Sequence, residues 1–286
     1  MFLIVGKNGQ VASELRAALG GCAVAVGSAE LDVGDADAVR AFFRGKRFDA
    51  VVNCAAYTAV DKAEDEPELA ARVNADGPRH LADALAETGT PLVHLSTDYV
   101  FDGRSCRPYT EADAPAPTSV YGATKLAGER AVLERAATAL VVRTSWVYSP
   151  HGNNFVKTML RLGAERARLG IVFDQVGTPT CAADLARAVA EILPRLEAGT
   201  RRVRHFSNEG ACSWYDFARA VMELSGLACE VEPILTRDYP TRATRPFYSV
   251  LDKSEIKRDF GIAIPHWRDS LARVLADFPS AQPNHP

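Results

Sequence analysis

The sequence predicts an α/β fold: a doubly wound parallel sheet of the Rossmann type, with a smaller, irregular α/β domain toward the C-terminus. Three observations carry this. Short apolar runs alternate with amphipathic helical patterns through the first half, a glycine turn follows the first run, and the alternation loses its regularity after residue 146. A chain of 286 residues, 47% of them hydrophobic, suits one large α/β domain or a domain of roughly 150 residues with a smaller partner. The expected division is 1–146 and 147–286, with 171–200 rejoining the sheet.

The elements follow in order. "FLIV" (2–5) reads as a buried strand, and "GKNGQVASELRAAL" as a turn leading into an amphipathic helix. "CAVAVG" is the second strand, "ADAVRAFFRGK" the second helix and "DAVVNCAAYT" the third strand. The long stretch "EPELAARVNADGPRHLADALAETG" is helical and "PLVHLSTDYVF" is strand four. "SVYGATKLAGERAVLERAA" is a helix and "TALVVRTSWVY" strand five. Such alternation places helices on both faces of a parallel sheet. Beyond it, "NNFVKTMLRLGAERARLG" and "CAADLARAVAEILPRL" read as helices. So does "GACSWYDFARAVMELSG", with Ser213 placed to cap it and Asp216 in its first turn. "PTRATRPFYSVLDKSEI" is irregular, and "SAQPNHP" is expected to be a frayed tail.

Charged residues make up 24% of the chain, with a net charge of −3 and no basic block. Nucleic acid is therefore not an expected partner, and an anionic ligand must be held by local groups. Cys22, Cys54, Cys106, Cys181, Cys212 and Cys229 form no CxxC pair and read as thiols in a reducing compartment. "MFLIVGKNGQ" enters a strand directly, and no apolar run approaches ~18 residues. The expectation is a cytoplasmic protein with no membrane partner.

In "VGKNGQVA", Gly6 and Gly9 stand between the first strand and its helix. Glycines there permit a tight turn and let backbone N–H groups approach a pyrophosphate at the positive end of the helix. The spacing is GxxGxxA, with Ala12 small enough for close helix–strand packing. The second strand ends in Gly27 and Ser28, where an NAD-selective protein places an acid for the ribose 2′-OH. Asp32 comes later, nearer the adenine. No carboxylate repels a 2′-phosphate and no arginine is obvious, so NADPH is expected to bind at least as well as NADH.

"SVYGATKLAGE" (119–129) sets Tyr121 one helical turn before Lys125, on the same face. A phenol's ordinary pKa of ~10 hinders proton exchange at neutral pH. A lysine cation within ~4–6 Å lowers it, which makes tyrosine a general acid for a carbonyl becoming an alcohol. Strand four ends in Ser96, Thr97, Asp98 and Tyr99, at the sheet edge where such folds bind ligands. A hydroxyl from Ser96 or Thr97 can bond the carbonyl and steady Tyr121. The competing reading, a polar strand end beside a half-buried tyrosine, does not explain three features in this order.

With these motifs the sequence resembles the extended short-chain dehydrogenase/reductases, and within them the dTDP-4-dehydrorhamnose reductase family. The resemblance runs through nearly the whole chain: "GKNGQVASEL", "NCAAYTAVDKAEDEP", "VNADGPRHLA", "LVHLSTDYVFDG", "YGATKLAGE", "RTSWVY", "GNNFVKTMLRL", "DQVGTPT", "SNEGACSWYDFA" and "RPFYSVLDKSEI". It implies Thr97, Tyr121 and Lys125 as catalytic hydroxyl, general acid and tyrosine activator, with Lys125 also touching the nicotinamide ribose. It implies cofactor contacts from Gly6, Asn8, Gly9, Gln10 and Val11, from Asp32 and Val33, and from Ala55, Ala56 and Tyr57.

Tyr99, Trp146, Asn154 and Arg245 are the candidate substrate contacts under this resemblance. Arg245 suits a nucleotide diphosphate, because guanidinium pairs bidentately with phosphate oxygens. The alternatives are a solvated loop arginine and a core tryptophan. Some members of the family are dimers bridged by magnesium through carboxylates. Glu14 and Asp184 match candidate positions, but Ala183 stands where a second carboxylate belongs. That argues against Mg²⁺ and leaves monomer or homodimer open.

The activity the resemblance implies is NAD(P)H-dependent reduction of the C4 ketone of a dTDP-4-keto-6-deoxy-L-hexose, giving dTDP-L-rhamnose. A reductase for a related deoxysugar would share the same residues. A nucleotide-sugar epimerase or dehydratase would keep NAD⁺ bound, and a dehydratase would want an acidic pair where Asp98 is followed by Tyr99. A dinucleotide-binding regulatory subunit has no need of a tuned phenol.

Overall fold

The structure is a computed structural model that describes residues 1–276; the expected frayed tail lies outside them. Six strands form the central sheet: β1 (Phe2–Val5), β2 (Ala23–Val26), β3 (Val51–Asn53), β4 (Leu92–Thr97), β5 (Ala139–Thr144) and a sixth, Arg201–His205. Every pairing is parallel, and the spatial order is β2-β1-β3-β4-β5 followed by Arg201–His205. Strand order reverses between β1 and β3, the switch point at which open α/β sheets bind ligands. β1, β3 and β5 are buried almost throughout, as strands covered on both faces must be.

Helices α1 (Gln10–Leu19), α2 (Ala36–Phe43), α3 (Val60–Ala63), α4 (Pro67–Ala71), α5 (Gly77–Ala86) and α6 (Val120–Arg135) connect these strands. One face of the sheet packs Ile4, Val52, Val93 and Leu140 against Val11 and Leu15 of α1. The other packs Leu3, Val51 and Val141 against Val39 of α2, Leu81 and Leu85 of α5 and Val132 of α6. The long helical stretch is interrupted by a π-helical turn, Arg72–Asp76, between α4 and α5. Pro78 lacks the N–H that would bond the Asn74 carbonyl four residues back, so the helix widens there.

Strand five is shorter than "TALVVRTSWVY" suggests. It stops at Thr144 because Trp146 takes φ 48°, the only non-glycine positive φ among the described residues. β6 (Val147–Tyr148) then leaves the sheet, and α7 (Phe155–Glu165) follows. Residues expected to prolong that helix form β7 (Arg168–Val172) instead, ahead of the short β8 (Val176–Gly177) and β9 (Thr180–Cys181). After α8 (Ala182–Ile192), the sheet strand Arg201–His205 is β10 in chain order. β11 (Cys212–Ser213), α9 (Trp214–Ser225), β12 (Glu230–Ile234), α10 (Ser254–Phe260) and α11 (Trp267–Ala276) complete the chain.

The segment 171–200 divides. β7 pairs with β12 away from the central sheet, whereas Leu185, Ala186 and Val189 of α8 join the core under α1. The strand that joins the sheet, β10, begins just past that segment. A separate core gathers Tyr148, Val156, Met159, Phe217 and Trp267. α9 is capped by Ser213 as expected, and Asp216 completes a capping box, each side chain accepting the other's backbone N–H.

Candidate active site

The turn from β1 to α1 sits directly against the end of β3. Gly6 has φ +93°, and a Cβ there would lie 2.7 Å from the Ala55 nitrogen. Only glycine permits both the conformation and the approach. Beside it runs a groove of about 250 Å³ whose lining includes Gly6, Asn8, Gly9, Asp32, Val33, Ala55 and Ala56. Seven of the residues expected to hold a dinucleotide thus meet at the switch point. Backbone N–H groups at the start of α1 suit a diphosphate there, and no side chain fills the bend.

Three other expected cofactor residues are placed differently. Val11 is buried in the core and can offer the groove only its backbone. Gln10 turns toward β6: its Nε2 donates to the Val147 carbonyl at 3.3 Å, and its Oε1 accepts from Asn154 Nδ2 at 2.9 Å. Tyr57 donates its hydroxyl to Glu66 at 2.7 Å, while its N–H donates to Asn74 Oδ1 at 2.8 Å.

An arginine, not obvious in the sequence, stands at the Asp32 end of the groove. Arg72 of the π-turn pairs with Asp32, whose Oδ1 also accepts the Gly34 N–H at 2.9 Å. Lys7 pairs with Glu30, which accepts the Gly27 N–H. Two cations therefore border the end of β2, each tied to a carboxylate. The signal missed was spatial, since Arg72 is 40 residues from Asp32 in sequence.

Beyond the groove, β4 ends at Thr97. Its hydroxyl donates to Asp98 Oδ1 at 3.0 Å and accepts the Tyr99 N–H at 3.2 Å. Ser119 caps α6 by accepting the Gly122 N–H, which puts Tyr121 in the first turn. The Tyr121 ring meets Tyr99 edge-on, centroids 5.5 Å apart. Arg245 completes this end, donating from Nη1 to the Tyr99 hydroxyl at 2.9 Å and from Nη2 to Asp61 at 2.6 Å. Asp61 also accepts the Ala243 N–H at 3.0 Å. So Arg245 is not a freely solvated loop residue.

The expected tuning of Tyr121 by Lys125 is not what this arrangement produces. Burial pushes the phenol above its ordinary value; the Thr97 side chain works against this, and Asp98 and Tyr99 add to it. Lys125 is 1% exposed, and burial pushes its amine down to about 8, with Glu129 and Cys54 opposing. Its Nζ donates to the Leu95 carbonyl at 2.7 Å. Lys125 therefore loses its charge not far above neutrality, and it favours a Tyr121 phenolate only while it is protonated. Asp98, 2% exposed, is pushed up to about 6, by burial first, with Ser249 and Thr97 side chains opposing.

Trp146 is half-buried and stacks on Trp214, centroids 3.5 Å apart and planes within 8°. A bulky residue at positive φ stores strain that its surroundings must hold. Gly177 makes room, since a Cβ there would lie 2.7 Å from the indole. Asn154 caps α7 by accepting the Lys157 N–H at 3.1 Å and donates to Gln10 and the Ser149 carbonyl. Its amide ties α7 to the glycine-turn helix through Gln10.

The two carboxylates considered for a metal each have other partners within the chain. Asp184 is 1% exposed and accepts from Arg187 at 2.9 Å, Arg273 at 2.6 Å and Asn208 at 2.8 Å, and from Ser270 as well. Glu14 instead faces His151 at 3.4 Å. A carboxylate already neutralised by two arginines is a poor magnesium ligand. No cluster of three or more metal-ligating side chains exists among the described residues. Nor is any helix among them long and apolar enough to cross a membrane.

Comparison with known proteins finds relatives along nearly the whole chain. Residues 1–280 match the family described as RmlD substrate binding domain. A dTDP-4-dehydrorhamnose reductase from Sinorhizobium fredii is 43% identical over 282 residues, covering 95% of each chain. A crystal structure of a dTDP-4-dehydrorhamnose reductase from Clostridium acetobutylicum superimposes with a TM-score of 0.92 at 41% identity, covering 96% of this chain and 98% of that one. Another from Bacillus anthracis, solved in complex with NADP, gives a TM-score of 0.93 at 36% identity, covering 97% and 99%.

Proposed function

The chain belongs to the RmlD substrate binding domain family, that of the dTDP-4-dehydrorhamnose reductases, and from that premise we propose that it reduces the C4 ketone of dTDP-4-dehydro-L-rhamnose to dTDP-L-rhamnose with NADPH, NADH also serving. The observation that carries this reading is the convergence of Thr97, Tyr121 and the Tyr99–Arg245 pair at the end of β4, beside the glycine-turn groove. Residues 1–146 hold the dinucleotide, and most of 147–286 serves the sugar nucleotide. Lys7 and Arg72 favour a 2′-phosphate. The protein acts in the cytoplasm as a monomer or homodimer.

The bound dinucleotide supplies hydride; the chain supplies the proton and the alignment. A phenol is protonated at neutral pH, and burial of Tyr121 works in the same direction, which is the form a proton donor needs. Thr97 stands beside it to hydrogen-bond the ketone oxygen and the alkoxide that forms from it. Arg245, fixed by Asp61 and Tyr99, presents its guanidinium to the diphosphate. Lys125 stabilises the phenolate left after transfer, when an opposite charge beside it counts most.

The test supplies dTDP-4-keto-6-deoxyglucose with and without its 3,5-epimerase, follows NADPH loss and identifies the product by NMR. NADPH consumption that requires the epimerase, with dTDP-L-rhamnose as product, is expected. Turnover without the epimerase would point to a different deoxysugar. In the same assay Tyr121→Phe should lower kcat by ~10²-fold or more with NADPH affinity unchanged; near-normal turnover would remove Tyr121 from its role.

A further inference from the structure

Behind Lys125 lies a chain of buried polar groups that the proposed mechanism does not use. Asn53, His94 and Lys125 are 1%, 0% and 1% exposed. The Ala55 N–H donates to Asn53 Oδ1 at 3.1 Å. Asn53 Nδ2 stands 3.1 Å from His94 Nδ1, and His94 Nε2 stands 3.4 Å from Lys125 Nζ.

Donor counting orients every member of this chain. A backbone N–H can only donate, so it holds the amide oxygen of Asn53 toward Ala55 and turns the NH₂ toward His94. His94 Nδ1 must then accept. A neutral imidazole carries one N–H, which falls on Nε2 and points at Lys125 Nζ. Turning Asn53 over would set its NH₂ against the Ala55 N–H, and moving the imidazole proton to Nδ1 would set it against the Asn53 NH₂. Either change leaves two buried donors facing each other. The neutral amine of Lys125 can accept from Nε2–H. The ammonium cannot, and is left with the Leu95 carbonyl at 2.7 Å.

We propose that His94, locked by Asn53 and the Ala55 backbone in its Nε2–H tautomer, is a positioning residue that controls the charge of Lys125 and so the pH range over which Tyr121 works. The kinetic part rests on the reductase reading given above; the tautomer does not. His94 burial and the lysine beside it both oppose an imidazolium. The other titratable groups around Lys125 are the Cys54 thiol beyond β3, pushed up to about 12 by burial, and Tyr121 and Glu129 on α6. Glu129 is held by Arg143 of β5, at 3.0 Å from Nε and 2.7 Å from Nη2, so its charge is largely spent there. His94 is the neutral donor aimed at the amine. Since Ala55 lines the dinucleotide groove, the lock begins at the cofactor loop and ends at the lysine.

Two measurements on the full chain test this. Long-range ¹H–¹⁵N correlation spectra of histidine-labelled protein, with His94→Gln to assign the resonance, should show a protonated Nε2 and a bare Nδ1 for His94, unchanged between about pH 6 and pH 9. An Nδ1–H tautomer or an imidazolium there overturns the inference. Asn53→Asp is nearly isosteric and accepts from both Ala55 and His94, so it should move the proton to Nδ1 and turn a bare Nε2 toward the ammonium. The alkaline limb of the kcat/KM profile should then rise by about one pH unit, with KM for NADPH changed less than about twofold. A shifted tautomer with an unmoved limb would leave His94 structural and sink the proposal. Should no NADPH oxidation occur with any nucleotide sugar, the reductase reading fails, and the tautomer spectrum still decides whether the lock exists.

Discussion

Asp98 shows how much a single side chain can carry at this strand end. Its carboxyl is raised to about 6, because burial opposes ionisation more than the Ser249 and Thr97 side chains favour it. A raised carboxyl contributes stability that is present in full below its ordinary value and is lost as pH rises through about 6. Asp98→Asn keeps an acceptor for the Thr97 hydroxyl and never ionises. Relative to the wild type, it should therefore gain on the order of 2–3 kcal/mol between about pH 4 and pH 8. Urea unfolding of both proteins at the two pH values measures that gap, and a gap independent of pH would mean Asp98 ionises freely. Thr97, Tyr121 and Lys125 were legible in the sequence because each sits at a fixed place on a regular element. Asn53, His94, Asp61 and Arg72 were not, since a polar residue carries no mark of the partner it meets across the fold.

At the scale of elements, α6 is the piece on which the site depends, and two glycines set its position. A Cβ on Gly122 would lie 2.2 Å from the Tyr99 carbonyl oxygen, and one on Gly128 would lie 2.1 Å from the Asn74 oxygen. These contacts let α6 rest directly on the turn after β4 and on the π-turn, bringing Tyr121 to Tyr99 and Lys125 to β4. In a free helix Gly→Ala gains about 1 kcal/mol. Here the obstacle at residue 128 is a backbone oxygen that cannot swing away, and overpacking of this kind costs about 1–3 kcal/mol. Gly128→Ala should thus lower both stability and kcat, read by urea midpoint and turnover; a stabilised, fully active variant would show that α6 can move freely. The alternation of strands and helices was legible because buried strands and amphipathic helices differ in period. The break at Trp146 and the strand Arg168–Val172 were not, because each is decided by a tertiary neighbour, and the π-turn turns on one missing N–H at Pro78 inside an otherwise helical pattern.

Across the whole molecule, the irregular segment near the C-terminus is fastened to the N-terminal half by charge. Arg242 pairs with Asp65 at 2.8 Å, and Arg245 pairs with Asp61 at 2.6 Å. The first pair is exposed, so it contributes little. The second is partly buried and shared: Asp61 holds the Ala243 N–H with one oxygen and Arg245 with the other. With a net charge of only −3, the protein exerts no strong field on a distant anion, and under the role proposed for Arg245 recognition of a diphosphate depends on where its guanidinium points. Asp61→Ala removes the group that points it and leaves the glycine turn, Thr97 and Tyr121 untouched. A cation freed from its orienting partner binds a phosphate more weakly by about 1–2 kcal/mol, so KM for the nucleotide sugar should rise roughly tenfold. The Kd for NADPH and kcat at saturating sugar should change less than about twofold, since neither depends on that loop. An unchanged KM would show that Arg245 is held by Tyr99 alone, and a lowered one that Asp61 competes with the diphosphate instead of presenting the arginine to it.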